Sequence, residues 1–246
     1  MRIALIACAV LQREISYELV QTDNVVRVWW LKQGLHDTPD LLRQKLQQQI
    51  DEIEEEQEEL APDKKYDAIC LGYGLCSNGV IGLHTEQLPL VIPRCDDCIS
   101  LFLGSAERYR SIFAQKPGTY WYNPGWIEHA FTPSEASYAA RYVEYVEKYG
   151  EDNADFLMEE CRSWVKNYDS CIYIDSPVYH NKSYEQYAEQ AAEDYHWTYA
   201  KENGDMRMIH LLLTGEWNEQ DFLVCPPEHV VEADFSNLKI KAIPAE

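Results

Sequence analysis

Short apolar runs recur along the chain, each about as long as a buried β-strand. They cover residues 3–7, 25–30, 68–71, 90–92, 119–122, 171–174 and 222–224. Many of the intervening stretches carry apolar residues every three or four positions, which is typical of helices with one buried face. This alternation predicts an α/β fold with a mainly parallel sheet, helices on both faces and Rossmann-like repeated units.

Proline, glycine and capping residues indicate where the predicted helices begin and end. Thr38–Pro39 forms one helix start, and Thr132–Glu135 has the pattern of a capping box for a second helix, which Gly150 ends. Two further helices are predicted over residues 153–168 and 183–203. Because no low-complexity linker divides the chain, we expect residues 1–246 to form a single α/β domain, or two lobes with a soft boundary near 150–153.

The net charge and the cysteine content limit which binding partners and which cellular compartment the protein is expected to have. The chain has 42 acidic and 21 basic residues among 246, a formal net charge of −21 at pH 7. No stretch clusters the Lys and Arg that phosphate groups need, so binding to nucleic acid or to an anionic membrane is not expected. The first apolar run is too short to span a membrane and lacks a signal peptide's small-residue cleavage site. Eight scattered cysteines suit a reducing compartment, and we expect a cytoplasmic protein.

Three cysteines stand in turns that follow predicted strands. Cys8 follows "IALIA", Cys76 lies within "GYGLCSNG", and Cys98 follows "LVIPRCDD". Glycines after a strand, here Gly72 and Gly74, let the backbone turn tightly and approach a ligand closely. The pattern suggests that these thiols are presented to a bound group and that the two glycines contact it.

Cys98 is the chemically strongest of these thiols. Asp97 is the predicted N-cap of a short helix that Gly104 closes, and a thiol in the first turn of a helix has its thiolate favoured by the dipole. The alternative is that each cysteine is a small buried hydrophobe. We adopt that alternative for the cysteines inside strand or helix patterns, which are Cys70, Cys161 and Cys171.

The cysteine loops predict a metal centre at one edge of the sheet. The segments "IALIAC", "CLGYGLC" and "FLVCPPEH" each place a cysteine at or just beyond a strand end, and open parallel sheets bind ligands at their carboxyl ends. Thiolates of Cys8, Cys76 and Cys98 would suit a zinc ion or an iron–sulfur cluster. His36, just before a helix start, is the best-placed fourth donor.

The segment "NPGWIE" is a candidate for substrate chemistry. Its Glu128 could act as a catalytic acid or base or hold an amine, with Trp126 as the wall of a pocket. If the strand before it is parallel to those ending at Cys8 and Gly72, both side chains emerge at the edge that carries the thiols. The alternative is an ordinary surface turn.

Other motifs give weaker evidence about the function. Cys95 and Cys98 have the "CDDC" spacing of a redox pair or half a zinc site, but no second such pair exists; Cys225 and His229 are outside candidates. The chain has no G-x-x-x-x-G-K-[ST], G-x-G-x-x-G or G-x-S-x-G motif, so nucleotide, dinucleotide and serine-hydrolase functions have no local support.

Six stretches together resemble the domain-of-unknown-function 1638 family of anaerobic bacteria and archaea. They are "IALIACAVLQREI", "LHDTPDLL", "LGYGLCSNGVIGL", "LVIPRCDDCISLFLGSAERY", "GTYWYNPGWIE" and "GEWNEQDFLVCPP". The family pattern includes the cysteines at 8, 76 and 98, the histidine at 36 and the Pro-Gly-Trp run ending at Glu128. A histidine commonly stands where this chain has Asp96, and Cys95 is not typical, which weakens a redox role for "CDDC".

The resemblance implies a metabolic setting rather than a reaction. The genes of family members often lie near genes for corrinoid-dependent methylamine-type methyltransferases. The predicted architecture also resembles that of quinolinate synthase, in which repeated α/β units each bring one cysteine to a shared iron–sulfur cluster. We therefore expect a three-cysteine metal-centre protein, an enzyme or accessory factor in anaerobic one-carbon or corrinoid-linked methyl metabolism, with a corrinoid or a methyltransferase as partner. The alternative is a metal-free protein that binds a small methylated amine or a corrinoid.

Overall fold

A computed structural model describes residues 1–245 of the chain. The strands are β1 (Arg2–Cys8), β2 (Val25–Leu31), β3 (Ala68–Gly72), β4 (Leu90–Pro93), β5 (Thr119–Tyr122), β6 (Ser170–Asp175), β7 (Thr198–Asn203), β8 (Phe222–Cys225), β9 (His229–Ala233) and β10 (Ile240–Pro244). The helices are α1 (Gln12–Leu19), α2 (Pro39–Glu59), α3 (Cys98–Phe102), α4 (Ala106–Gln115), α5 (Pro124–His129), α6 (Glu135–Tyr149), α7 (Glu151–Ser163), α8 (Lys182–Tyr195) and α9 (Arg207–Thr214).

The described residues divide into two compact units, and one interrupts the other in sequence. Unit 1 contains Met1–Tyr109 and the chain from Asp205 onward, whereas unit 2 contains Arg110–Gly204. Residues 150–153, where the sequence suggested a soft boundary, lie inside unit 2 between α6 and α7.

Unit 1 is built on a sheet of five strands in the order β2-β1-β3-β4-β8. The first four are parallel, and β8 pairs antiparallel with β4. The interior strand β1 is enclosed from Ile3 to Ala7, which explains its unbroken apolar sequence, because an interior parallel strand is buried on both faces. Strands β9 and β10 form a separate antiparallel ribbon.

Unit 2 has its own parallel sheet, β5-β6-β7. Its core is aromatic, with Tyr122, Tyr138 and Tyr173 almost completely buried. The predicted α/β class with mostly parallel sheets and surrounding helices is therefore confirmed. No helix within residues 1–245 is both long enough and apolar enough to cross a membrane.

One predicted helix was too long. The stretch 183–203 was expected to be a single helix, but α8 ends at Tyr195, where His196 adopts a left-handed conformation with φ 58°. Residues 198–203 instead form β7, which pairs along its whole length with β6. The strand sequence "TYAKEN" is mostly polar because β7 lies at a sheet edge, so it has no apolar run by which to recognise it.

Candidate functional site

The four parallel strands of unit 1 end at a common edge, and the three predicted thiols follow three of those ends. Cys8 is the last residue of β1, Cys76 lies four residues beyond the end of β3, and Cys98 lies five residues beyond the end of β4. Neighbouring parallel strands in the order β1-β3-β4 bring these loops side by side. The predicted gathering of Cys8, Cys76 and Cys98 at one sheet edge thus agrees with the observed topology.

The loops after β3 and β4 are bonded directly to each other. The Leu75 N–H donates to the Cys95 carbonyl at 2.8 Å, and the Cys76 N–H donates to the Asp96 carbonyl at 2.9 Å. Gly74 permits this contact, since a Cβ there would lie 2.7 Å from the Cys95 oxygen. A Cβ on Gly72 would similarly lie 2.7 Å from the Ala7 Cβ. Both glycines therefore accommodate neighbouring segments of the chain.

The Cys76 loop has an unusual backbone. Cys76, Ser77 and Asn78 all have positive φ, at 46°, 59° and 67°. Consecutive left-handed residues other than glycine are costly, and such conformations concentrate at functional sites. Gly79 follows in a space where a Cβ would lie 2.6 Å from the Leu42 side chain. The loop that carries Cys76 is thus held in a strained turn.

Cys98 occupies the first position of α3, as predicted. The Asp97 side chain caps this helix by accepting a hydrogen bond from the Ile99 N–H at 2.9 Å. Gly104, at φ 69°, follows the helix end at Leu103. The cap fixes the position of Cys98 relative to the β4 loop.

Tyr73 lies near all three thiols. Its hydroxyl oxygen is buried and has no hydrogen-bond partner of good geometry. Its pKa is raised, first by burial and then by the nearby Cys8, Cys76 and Cys98 thiols. Cys8 is close enough for the two groups to affect each other's pKa, but a thiol is only a weak hydrogen-bond partner. An almost buried phenol hydroxyl without a well-formed hydrogen bond therefore lies close to the three thiols.

Cys8, Cys76 and the neighbouring Cys95 are held in the neutral form. Burial raises the pKa of Cys8, and the Val10 backbone and Tyr73 only partly oppose this effect. Burial also raises the pKa of Cys76 to about 12, with a further contribution from the Asp97 carboxylate. The pKa of Cys95 is raised well above its usual value, by burial and then by Asp97. Without a bound cation, these groups are protonated near neutral pH.

Asp97 is the titratable carboxyl group of the site. Burial raises its pKa to about 6, and Asp96 adds to this, whereas hydrogen bonds from the Ile99 backbone and Tyr109 oppose it. The neighbouring Asp96 is paired with Lys239, whose Nζ lies 2.8 Å from Asp96 Oδ1. The C-terminal ribbon is thereby tied to the β4 loop.

Arg94 makes a second connection between the β4 loop and the C-terminal segment. Its guanidinium donates to the carbonyl of Leu238 at 2.8 Å and to that of Ile240, and its Nε donates to the Phe222 carbonyl at 3.0 Å. The position of the loop carrying Cys95 and Cys98 therefore depends on residues near the end of the chain.

A ready-made metal site is not found. Among residues 1–245, no group of three or more His, Cys, Asp or Glu side chains is arranged so that it could hold a metal ion. His36 lies in a short 3-10 helix after β2, and its Nε2 is 3.3 Å from Asp37 Oδ1.

Glu128 and Trp126 belong to unit 2, so the expectation that the strand before them lies parallel to β1 and β3 in one sheet was wrong. Strand β5, which precedes them, is part of the second sheet rather than of the β1-β3 sheet. Glu128 is exposed and accepts a hydrogen bond from the Tyr184 hydroxyl at 2.5 Å. The half-buried Trp126 donates its backbone N–H to the capping Asn123 side chain at 2.9 Å.

Four of the remaining cysteines belong to other elements of the fold. Cys225 ends β8, which is antiparallel, so it pairs with Leu90 at the start of β4 rather than with its end. The expected third repeat of a strand with a cysteine at the ligand edge is therefore wrong. Cys70 is fully buried within β3, while Cys161 and Cys171 belong to unit 2.

Sequence reasoning missed Tyr73, which stands at the centre of the site. A signal was present: "GYG" puts an aromatic residue with a polar tip between two glycines at the end of a buried strand. A buried tyrosine hydroxyl usually finds a partner, so its position at a candidate thiol site was informative.

Comparison with known protein families gave one match, and the other comparisons gave none. The family model described as "Protein of unknown function (DUF1638)" matches residues 30–213. The chain belongs to this family. No curated protein and no solved structure matches the chain.

Proposed function

We propose that this protein uses Cys8, Cys76 and Cys98 to hold a thiophilic metal centre, either zinc or an iron–sulfur cluster. The observation that carries the proposal is the buried Tyr73 hydroxyl, which has no well-formed hydrogen bond and lies among the three thiols. An unsatisfied buried hydroxyl costs about 1–3 kcal/mol, which is a cost that a bound group can remove.

The donor set fits a soft cation. Thiolates are the preferred ligands of zinc and of iron–sulfur clusters. Burial disfavours the charged form of Cys8 and Cys76, and a cation at the same place would compensate for that penalty. The strained Cys76 loop and the capped Cys98 helix position the sulfurs, while Asp97 supplies a carboxyl group that can carry a proton nearby.

The wider role that we propose is in anaerobic one-carbon or corrinoid-linked methyl metabolism, as an enzyme or as an accessory factor. This part rests on the family resemblance, which associates such proteins with corrinoid-dependent methyltransferases. A corrinoid or a methyltransferase is the corresponding partner. The acidic chain, with a formal net charge of −21, favours partners with a basic surface over nucleic acids.

The test is metal analysis and an absorbance spectrum of anaerobically purified protein. We expect stoichiometric zinc or iron in the natural protein, with loss of most of it in Cys8→Ser, Cys76→Ser and Cys98→Ser. Cys70→Ser is the matched control, because Cys70 is buried within β3 of the same sheet. Equal metal loss in Cys70→Ser, or no metal after reconstitution with zinc and with iron and sulfide, would refute the metal centre.

A second function is supported by the same hydroxyl. A small molecule with a hydrogen-bond acceptor would also satisfy Tyr73, and the protein would then be a metal-free binder of a methylated amine or a corrinoid. If this second function is the correct one, the purified protein should contain no metal, and the three serine variants should retain ligand binding. Calorimetric titration with methylated amines and with cobalamin, before and after Tyr73→Phe, separates this function from the first.

A further inference from the structure

The edge strand β2 exposes an apolar surface. It is hydrogen-bonded to β1 on one side, and within residues 1–245 no strand pairs with its other side. Its sequence, "VVRVWWL", contains one charged residue, and none of its seven positions is fully buried. Natural edge strands are usually shielded by proline, charged side chains, a bulge or a short length, and β2 has only Arg27, which pairs with Glu56 of the same subunit.

Exposed apolar side chains also occur at the start of this strand. Val25 is 51% exposed, and its N–H donates to the carbonyl of Met1, which is itself 50% exposed. These two residues extend the apolar edge of β2 at its first position, and exposed apolar surface of this kind is typical of protein–protein contacts.

We propose that β2 pairs antiparallel with β2 of a second copy of the chain, so that two five-stranded sheets join into one continuous sheet about a twofold axis. The register centres on Val28, the middle residue of the strand. Val28 then faces its own counterpart, Val26 faces Trp30, and Arg27 faces Trp29.

The distribution of charge in β2 favours a second copy as the occupant. In this register, Arg27 is opposite an aromatic ring rather than opposite another arginine. Within one subunit, the Arg27 guanidinium already lies 4.5 Å from the centre of the Trp29 ring, so the two side chains suit each other on that face. The other face pairs only Val26, Val28 and Trp30, and cross-strand aromatic and β-branched pairs stabilise sheets.

The negative charge of helix α2 indicates how the dimer should respond to salt. Its acidic surface includes Glu56, which pairs with Arg27 beside the edge strand. In the dimer, the two acidic helices approach each other on the same face of the joined sheet, and their repulsion is screened as ionic strength rises. Dimerisation through β2 should therefore strengthen with salt, whereas a contact held by opposite charges would weaken.

Analytical ultracentrifugation of the full chain over a concentration series tests the proposal. The natural protein should dimerise, more tightly in high salt. Val28→Asp should weaken the dimer at least about a hundredfold, because it puts two like charges directly opposite each other. Val143→Asp is the control, since Val143 is 57% exposed on α6 of unit 2, and it should leave the dimer intact. A monomer at every concentration and salt, or equal effects of the two substitutions, would overturn the proposal.

A cysteine pair tests the register without relying on a disruptive variant. Under mild air oxidation, Val28→Cys should form a disulfide between position 28 of the two copies, identified by peptide mapping. Val26→Cys should not, because its counterpart is Trp30 and the two introduced thiols are too far apart. Absence of the disulfide in Val28→Cys, together with a dimer in solution, would show that a different surface is used.

Discussion

Replacing Tyr73 with phenylalanine should stabilise the metal-free protein. The substitution removes only the hydroxyl, which is buried and has no well-formed hydrogen bond, and leaves the ring packed in the same space. Because a buried hydroxyl without a partner costs about 1–3 kcal/mol, Tyr73→Phe should raise the free energy of unfolding by about that amount. In a chain of this size, each kcal/mol corresponds to a rise of about 2–4 °C in the unfolding midpoint.

Tyr122→Phe is the matched control. Tyr122 is also buried, but its hydroxyl donates to the Pro133 carbonyl at 2.7 Å. Removing that hydroxyl should lower the free energy of unfolding by about 1 kcal/mol. The two substitutions, chemically identical, should therefore have opposite signs.

Thermal and urea unfolding in the presence of a chelator, followed by circular dichroism, measures both variants. A loss of stability in Tyr73→Phe similar to that in Tyr122→Phe would refute the reasoning, since it would mean that the Tyr73 hydroxyl is satisfied in the ligand-free protein. The proposed function adds a second requirement: in zinc-loaded or iron-loaded protein, the advantage of Tyr73→Phe should shrink or reverse.

Three further predictions concern carboxyl groups and thiols of unit 1. The Glu54 carboxylate accepts hydrogen bonds from the backbone N–H groups of Glu86, Gln87 and Leu88 at 2.8–2.9 Å, so Glu54→Gln should destabilise the protein by about 3 kcal/mol in urea unfolding. The control Glu55→Gln, at an exposed position of the same helix, should change the stability little. The raised pKa of Asp97, about 6 against 3.8, means that its ionisation opposes folding; in chelator, stability should therefore fall by about 3 kcal/mol as pH rises from 4 to 6. Asp97→Asn should remove that contribution while retaining the helix cap, and an unchanged pH profile would contradict the assignment. Because Cys8 and Cys76 are neutral when free, zinc uptake should release protons, and the apparent zinc affinity should rise at least about tenfold per pH unit, as measured by competition with a chelator in weak buffer.

Most strands of unit 1 could be predicted because burial dictates their composition. The runs at β1, β3 and β4 are apolar and enclosed, so their sequences report their position directly. The edge strand β7 and the ribbon strands β9 and β10 are half exposed, and polar residues are compatible with their outer faces. Local patterns therefore identify the buried strands much better than the exposed ones.

The division into two sheets could not be predicted, because strand order is a long-range property. "GTYWY" at β5 has the composition of a strand of either sheet, and only its pairing with β6 assigns it. The same limit applies to β8, which runs antiparallel to β4, so Cys225 lies at the opposite end of the strands from the three predicted thiols. The expectation that Cys8, Cys76 and Cys98 share an edge agrees with the strand order, because each lies at or after the end of a parallel strand in the continuous segment before residue 110.

Competition between nearby polar groups explains one local error. Thr132 was expected to cap α6, but its hydroxyl bonds to the Tyr187 hydroxyl at 2.8 Å. Ser134 provides the cap instead, accepting from the Ser137 N–H at 3.1 Å. Several residues in this stretch could act as a cap, and a tertiary contact decides which one does.

The interrupted order of unit 1 sets the time at which the thiol edge can be completed during synthesis. Strand β4 obtains its antiparallel partner β8 only after a ribosome has made all of residues 110–204, and Asp96 and Arg94 obtain their partners Lys239, Leu238 and Ile240 later still. A chain that stops before residue 238 therefore lacks contacts that hold the β4 cysteine loop. The fold thus completes the thiol edge only after residues up to 240 have been made.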